Sequence, residues 1–370
     1  MTRKLCYVLA LLCILLPSSQ VQAKDLYLMA PAIGKVKNKE KDRHKDELNK
    51  ILSNKDFKKE LRKGILGFLK RAAIKNDGIN IKRAGFDTKF DAGAILIPLL
   101  FVDNVISFVD EFGSAEQNLY KGTVYIGINF LIFQAESESL VYSVPLIVSV
   151  PYLNKTKSFS LEPLAGQIRS AIVTFFTDRK TLKPNAHESL VNCLADMEYL
   201  FTTKTCSVSG INISQGTLKR IENSKKYSAL AEMLTAQALS EEHLVLPAKS
   251  RFPAIRRGLH AAVSMFGVSF QQGTEKGFSE RDNVYQTKMR MPKPEIKYTL
   301  TIKTGVKDVD LGPYTERNYT TACYLEGGGD KIKCIKGIQI PVSKRHTKVS
   351  DVHFYNSLIN ALSDIDSCTR

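Results

Sequence analysis

The sequence predicts an α+β protein of two similar modules, each an antiparallel-rich sheet with helices packed on one face. Three observations lead there. Two long stretches alternate apolar and polar residues and fold back on themselves. Each is followed by an apolar stripe at helical spacing. The order of elements leading into the first hairpin recurs before the second. With 370 residues, 44% of them hydrophobic, the chain has material for two cores.

At the N-terminus, Arg3 and Lys4 precede an apolar run, Leu5 to Leu16, and Val21-Gln22-Ala23 fits the small-x-small cleavage rule. Residues 1–23 read as a signal peptide. The run is short for a bilayer span, so an uncleaved anchor is the lesser alternative. Leu12 in front of Cys13 argues against lipidation. The mature chain is expected to begin near Lys24, to be periplasmic or secreted, and not to be an integral membrane protein.

Leu26 to Ile33 reads as a short strand. Lys35 to Lys63 mixes twelve basic with six acidic residues. Leu48, Ile51, Leu52, Leu61, Ile65, Phe68 and Leu69 fall at helical spacing and predict one or two amphipathic helices. Lys35, Lys37, Lys39, Lys41 and Arg43 form a candidate polyanion contact; the competing reading is a solvated face. Ala92 to Val105 is a buried strand, with Pro98 suggesting an edge or a bulge.

The first hairpin follows. Val124, Ile126, Ile128, Phe130 and Ile132 alternate, as do Tyr142, Val144, Leu146, Val148 and Val150. Pairing Ile126 with Val148, Ile128 with Leu146 and Phe130 with Val144 puts both rows on one face. A slip of one residue would oppose Phe130 and Ser143, so the pattern selects the register. Leu161 to Phe176 supplies a covering helix.

Thr177 to Asn185 breaks the pattern. Modules are therefore placed at 24–178 and 210–370, with a connecting helix and linker at 179–209. Further helices are expected at His187–Thr202, Tyr227–Leu239, Pro253–Phe266 and Asp351–Ile365, the last with Ser350 as N-cap. Strands are expected at Cys206–Ser214, His243–Ala248 and Glu295–Val309. A second hairpin, Tyr319 to Val342, turns at Gly327-Gly328-Gly329-Asp330. Set side by side, the halves suggest a repeated β-α-β-β-β-α unit, with Pro31-Ala32 matched to Pro247-Ala248 and Pro145 to Pro341.

Five cysteines remain beyond the leader: Cys193, Cys206, Cys323, Cys334 and Cys368. An exported compartment permits disulfides. Counting outward from the second turn sets Cys323 opposite Cys334, a separation that a cross-strand disulfide can close. Two buried thiols are the alternative. Cys193 and Cys206 form a second candidate pair, and Cys368 is left over.

The formal charge is +16, and +14 without Arg3 and Lys4. Such a surface attracts polyanions. For an exported chain these are anionic lipids, envelope polymers or an acidic protein, rather than nucleic acid. Simple solubility is the plainer explanation.

From about Gly210 onward the order is strand (Gly210 to Ser214), helix (from Tyr227), strand (Leu244-Val-Leu-Pro), helix, strand (Lys297-Tyr-Thr-Leu-Thr-Ile), hairpin, helix. This order resembles the periplasmic α/β domain found in the N-terminal part of TolB, in CsgG, in penicillin-binding-protein activator lipoproteins and in the flagellar protein FlgT. Glu295 stands near the place of the family's aspartate leading into the central strand. The resemblance implies a binding or assembly module, not an enzyme.

No catalytic, metal or cofactor motif stands out. The six histidines form no His-x-His or His-Glu-x-x-His pair. No Gly-x-Ser-x-Gly elbow occurs. Gly327 to Gly329 lacks the lysine of a phosphate loop and reads as a hairpin turn. Asn154, Asn212 and Asn318 stand in glycosylation sequons. The expected function is non-enzymatic binding or assembly in the cell envelope, against another envelope protein or an anionic cell-surface polymer. The alternatives are an extracytoplasmic hydrolase with a site at the domain junction and, more distantly, a secreted protein acting on a host or competitor.

Overall fold

A computed structural model describes residues 24–34, 43–73, 79–84, 94–112, 119–134, 139–154, 160–178, 204–240, 243–247, 293–342, 351–363, 365 and 368. The expected signal-peptide segment lies outside these residues. So do the expected helices at 187–202 and 253–266, Ser350 and most of the connecting segment.

In the first module, β1 (Lys24–Leu28) and β2 (Ala32–Gly34) lead into α1 (Arg43–Leu52) and α2 (Lys55–Ala73). Then come β3 (Ile79–Arg83), β4 (Ala94–Phe112), β5 (Leu119–Gln134) and β6 (Ser139–Asn154). A 3-10 turn, Glu162–Leu164, opens α3 (Ala165–Thr177). The strand order is β3-β1-β4-β5-β6, with β2 also on β4. β1 runs parallel to β3 and β4, and the β4-β5-β6 meander is antiparallel.

The second module runs β7 (Thr205–Ile213), the short α4 (Gln215–Leu218), α5 (Ser224–Leu239), β8 (Leu244–Val245), β9 (Ile296–Asp310), β10 (Thr315–Gly327), β11 (Asp330–Val342) and α6 (Asp351–Ser363). Its strand order is β8-β7-β9-β10-β11. β7 is parallel to β8 and β9, and β9-β10-β11 is antiparallel. Position for position, the second sheet repeats the order and strand directions of the first.

That correspondence corrects one expectation. The partner of β1 is β7, and the Leu244–Val245 strand answers to β3. The short strand read at Leu26–Ile33 is in fact two, β1 and β2, both lying along β4. The first unit thus holds two strands more than the four read from the sequence, whereas the five strands of the second were all expected. Pro98 also has a different explanation from the expected edge. β4 is internal, pairing with β1 as far as Leu96 and with β2 from Leu99. Pro98 falls where β4 changes neighbour, so its missing N–H interrupts no ladder on that side. Pro145 and Pro341 lie on the edge strands β6 and β11, where a proline is tolerated.

Both hairpins have the register that the alternation selects: Ile126 faces Val148, Phe130 faces Val144, and Cys323 faces Cys334. The second turn is closed by Gly328 (φ +63°) and Gly329 (φ +94°). Two successive residues at positive φ match the strand twist and favour glycine.

α1, α2 and α3 cover the inner face of the first sheet. Leu48, Leu52, Leu61, Ile65 and Phe68 meet Ile126, Ile128, Phe130 and Ile132 in one core with Ile168, Ile172 and Phe176. The Phe130 and Phe176 rings lie 4.7 Å apart, edge to face, a favourable aromatic geometry. α3 is tied at both ends by charges of the sign its dipole favours. The Leu161 N–H donates to the Glu47 carboxylate at 2.7 Å, and Arg71 donates to the Phe176 carbonyl at 2.6 Å.

α5 and α6 cover the inner face of the second sheet, with Tyr227, Leu230, Phe354, Leu358 and Leu362 against Tyr298, Leu300, Ile302, Tyr319 and Cys323. α5 also touches the back of the first sheet. There Met233 fills the space over Gly127, where a Cβ would stand 2.7 Å from its Cε. Ser143 Oγ donates to the Val245 carbonyl at 2.7 Å, and Lys226 Nζ to the Ser107 carbonyl at 3.2 Å. The modules therefore stack sheet back on helix layer.

Candidate functional site

Of the expected polyanion contact, only Arg43 is among the described residues. Lys35, Lys37, Lys39 and Lys41 lie outside the described residues, and Arg43 opens α1.

The cysteines differ from expectation. Cys334 is bonded to Cys368, with their Cα atoms 5.0 Å apart. Cys323, although opposite Cys334, is a buried thiol, as is Cys206. Cys193 lies outside the described residues. The physical reason is the path of the chain after α6: it returns beneath the sheet and brings Cys368 to the inner face of β11, in the same core. Burial pushes the Cys323 and Cys206 thiols up to about 12, which leaves them protonated and poorly nucleophilic.

The module junction holds a cleft of about 30 Å³, lined mainly by apolar groups with Asn129 and Glu232, room for about one water. Among the described residues no three His, Cys, Asp or Glu side chains gather as a metal site would require. Glu295 stands just before β9 and ties it to the start of β7. Its carboxylate accepts from the Thr205 N–H at 3.2 Å and lies 3.3 Å from the Thr205 hydroxyl. His243 Nε2 meets the Tyr298 hydroxyl at 3.0 Å beside β8.

What stands out is the back of the second sheet. Tyr298, Leu300 and Ile302 point into the core, so Lys297, Thr299, Thr301, Lys303 and Lys307 point away from it. On β10 the same parity brings out Asn318, Thr320, Ala322 and Tyr324, and on β11 Lys331, Lys333, Ile335 and Gln339. Register sets Tyr324 between Thr301 and Lys333, and Ala322 between Lys303 and Ile335. Lys303 Nζ stands 5.4 Å from the Tyr324 ring centroid, a cation–π contact. Ile335, at 51% exposure, is an uncovered aliphatic beside it. Five lysines share this face with two carboxylates, Glu316 and Glu326, and no helix among the described residues lies over it. The arrangement is a broad cationic surface with a tyrosine and an isoleucine near its centre. It suits attraction of an extended anion.

These lysines were legible in principle. They occupy the opposite parity to the apolar row Tyr298, Leu300, Ile302 that reveals β9.

No family model matches the chain, and no curated protein matches it. Solved structures do. One is a neuraminyllactose-binding hemagglutinin homolog from Helicobacter pylori, with 16% identity and TM-score 0.29, covering 46% of this chain and 93% of that one. A DUF330 protein from Xanthomonas campestris has 13% identity and TM-score 0.23, covering 50% and 93%. A minor lipoprotein from Acinetobacter baumannii has 10% identity and TM-score 0.18, covering 46% and 90%.

Proposed function

We propose that this chain is an exported, non-enzymatic binding protein of the cell envelope that holds an acidic surface polymer against the back of its second sheet. The observation that carries the reading is the face bearing Lys297, Lys303, Lys307, Lys331 and Lys333, which has a charge excess and, among the described residues, no covering element. Charge attraction concentrates a polyanion there. Tyr324 and Ile335 add apolar area whose contribution salt screening does not weaken. The leader-like residues 1–23 support a location in the periplasm or outside the cell, where such polymers occur.

The test is chromatography of the mature chain on an immobilised polyuronate with a salt gradient. The Lys303→Glu/Lys333→Glu variant is expected to elute at clearly lower salt than the parent. Lys50→Glu/Lys70→Glu, two exposed lysines on α1 and α2, removes as much charge far from the face and is expected to change elution less. Equal shifts in the two variants would reduce the interaction to net charge and overturn the reading.

A further inference from the structure

The first module carries a different basic feature. A groove of about 320 Å³ runs between α2 and the end of β3, lined by Asp56, Lys59, Glu60, Arg62, Lys63, Leu66 and Arg83. We infer that this groove is a binding site for a phosphate monoester, with Arg62 and Arg83 as its anion-holding pair.

Arg62 is fixed by the fold. Its Nη2 donates to the carbonyls of Leu28, at 3.2 Å, and of Ala84. These lie at the carboxyl ends of the parallel strands β1 and β3, the end of such a sheet where ligands collect. Nε is buried with no hydrogen-bond partner among the described residues. The guanidinium is lowered to about 10, first by burial and then by the charge of Arg83. The fold thus holds two cations close enough to repel each other, one of them poorly hydrated. Among the described residues no carboxylate lies within ion-pair distance of either. Asp25, on the neighbouring strand, is committed to Lys82 at 2.6 Å and to Asn80 at 3.1 Å. A buried or half-buried cation without a counter-charge is costly, and an anion in the groove supplies one.

The chemistry points to phosphate. Guanidinium forks match its oxygens, and a pair of them can grip a tetrahedral dianion from two sides. Lys59 and Lys63 add positive charge from the helix. Asp56 and Glu60 also line the adjoining α2–α3 groove, so they stand on the edge shared with it. Four cations against two carboxylates leave a twofold positive excess, the complement of a phosphate monoester near neutral pH. The space equals roughly ten water volumes, more than a bare phosphate fills, and Leu66 gives an organic body an apolar wall. Among the described residues the second module has no counterpart: α5, which answers to α2, contains no arginine.

The site is tested on the mature chain by calorimetric titration with inorganic phosphate and with glucose 6-phosphate, in chloride of matched ionic strength. Saturable binding of both is expected, tighter for the sugar phosphate, with glucose alone inert. Arg83→Gln changes an exposed side chain that makes no hydrogen bond to the fold among the described residues, so its melting temperature without ligand should equal the parent's while affinity falls roughly tenfold or more. Arg62→Lys gives a second reading, keeping charge but losing the fork. Lys303→Glu/Lys333→Glu, on the other module, should leave phosphate binding untouched, so this site and the polymer face fail or survive separately. Absence of saturable binding, or equal binding by parent and Arg83→Gln, overturns the proposal.

Discussion

Behind the first sheet stand Met233 and Val245 of the second module; behind the second sheet, among the described residues, stand the ammonium groups of its own lysines. The strand order is the same in both, so topology does not set this difference. Side chains set it. In β4 nearly every residue from Ile95 to Val102 is buried, because one face meets α1–α3 and the other meets the second module. In β9 burial alternates, with Tyr298, Leu300 and Ile302 inward and Lys297 and Lys303 exposed. A strand covered on both faces reads as a continuous apolar run, and a strand covered on one face reads as an alternation. The comparison also bears on whether a further copy could extend the stack. A second copy continuing the stack would bring the helices α1 and α2, with exposed Lys50, Lys55, Lys59, Lys63 and Lys70, onto the lysine face of β9–β11. Like charges oppose that contact.

The largest expected effect tests this contrast directly. Leu131 is fully buried on the back of the first sheet, and Ile335 is half exposed on the back of the second. Leu131→Lys loses an apolar contact and buries an unpaired charge, and should cost about 4 kcal/mol or more. Ile335→Lys should change stability by no more than about 0.5 kcal/mol. Urea unfolding midpoints measure both. Similar losses would mean that the second face is covered after all.

Next comes the bond between Cys334 and Cys368, which closes a loop with a sequence separation of 34. Loop-closure entropy of that size corresponds to about 3–4 kcal/mol. Residues 24–178 contain no cysteine, so the first module is an internal control. In hydrogen exchange, reducing agent should speed the amides of β10, β11 and α6 and leave β4–β6 unchanged. In mass maps of the unreduced protein, Cys323 should be found as a free thiol, inert to alkylation until the chain unfolds.

The two sheets also differ at glycine. A Cβ on Gly327 would stand 2.8 Å from the backbone oxygen of Lys297 and 2.6 Å from the Tyr298 ring. Neither can withdraw, so Gly327→Ala should cost about 2–3 kcal/mol. A Cβ on Gly127 would meet the flexible end of Met233. Gly127→Ala should cost about 1 kcal/mol and loosen the junction, which thermal melts and proteolysis of the junction can follow.

Much of this architecture was legible in the residues. The hairpin registers follow from alternating apolar rows, because a slip exposes a whole row at once. α2, α3 and α5 follow from their stripes. The disulfide did not follow. Cys323 and Cys334 are neighbours in the ladder, as counting shows, yet which partner Cys334 takes depends on where the chain travels after α6. That path is a tertiary property with no local signature. The β1–β2 break on β4 was missed because three or five residues of strand carry too little pattern. The lysine face was present as the complement of a row already read. The Arg62–Arg83 pair joins a helix to a strand twenty-one residues away, and no spacing rule announces it.

The smallest effect concerns an ion pair with no counterpart described in the first module. Arg317, buried on the inner face of the second sheet, donates from Nε and Nη2 to the two oxygens of Asp308, at 2.8 and 2.9 Å. These hydrogen bonds lower the Asp308 carboxyl below its ordinary value and raise Arg317 further. A carboxyl depressed in the folded state stabilises the protein at pH above its unfolded value, about 3.9. That stabilisation is lost as pH falls through the lower, folded value. Since the Asp308 side chain is 44% exposed, solvent screens the pair and the contribution is small. The parent and Asp308→Asn should therefore differ slightly in melting temperature at neutral pH, and the difference should close on acidification below about pH 4. A difference that persisted at low pH would assign the effect of Asn to packing, and the pair would cease to distinguish the two modules.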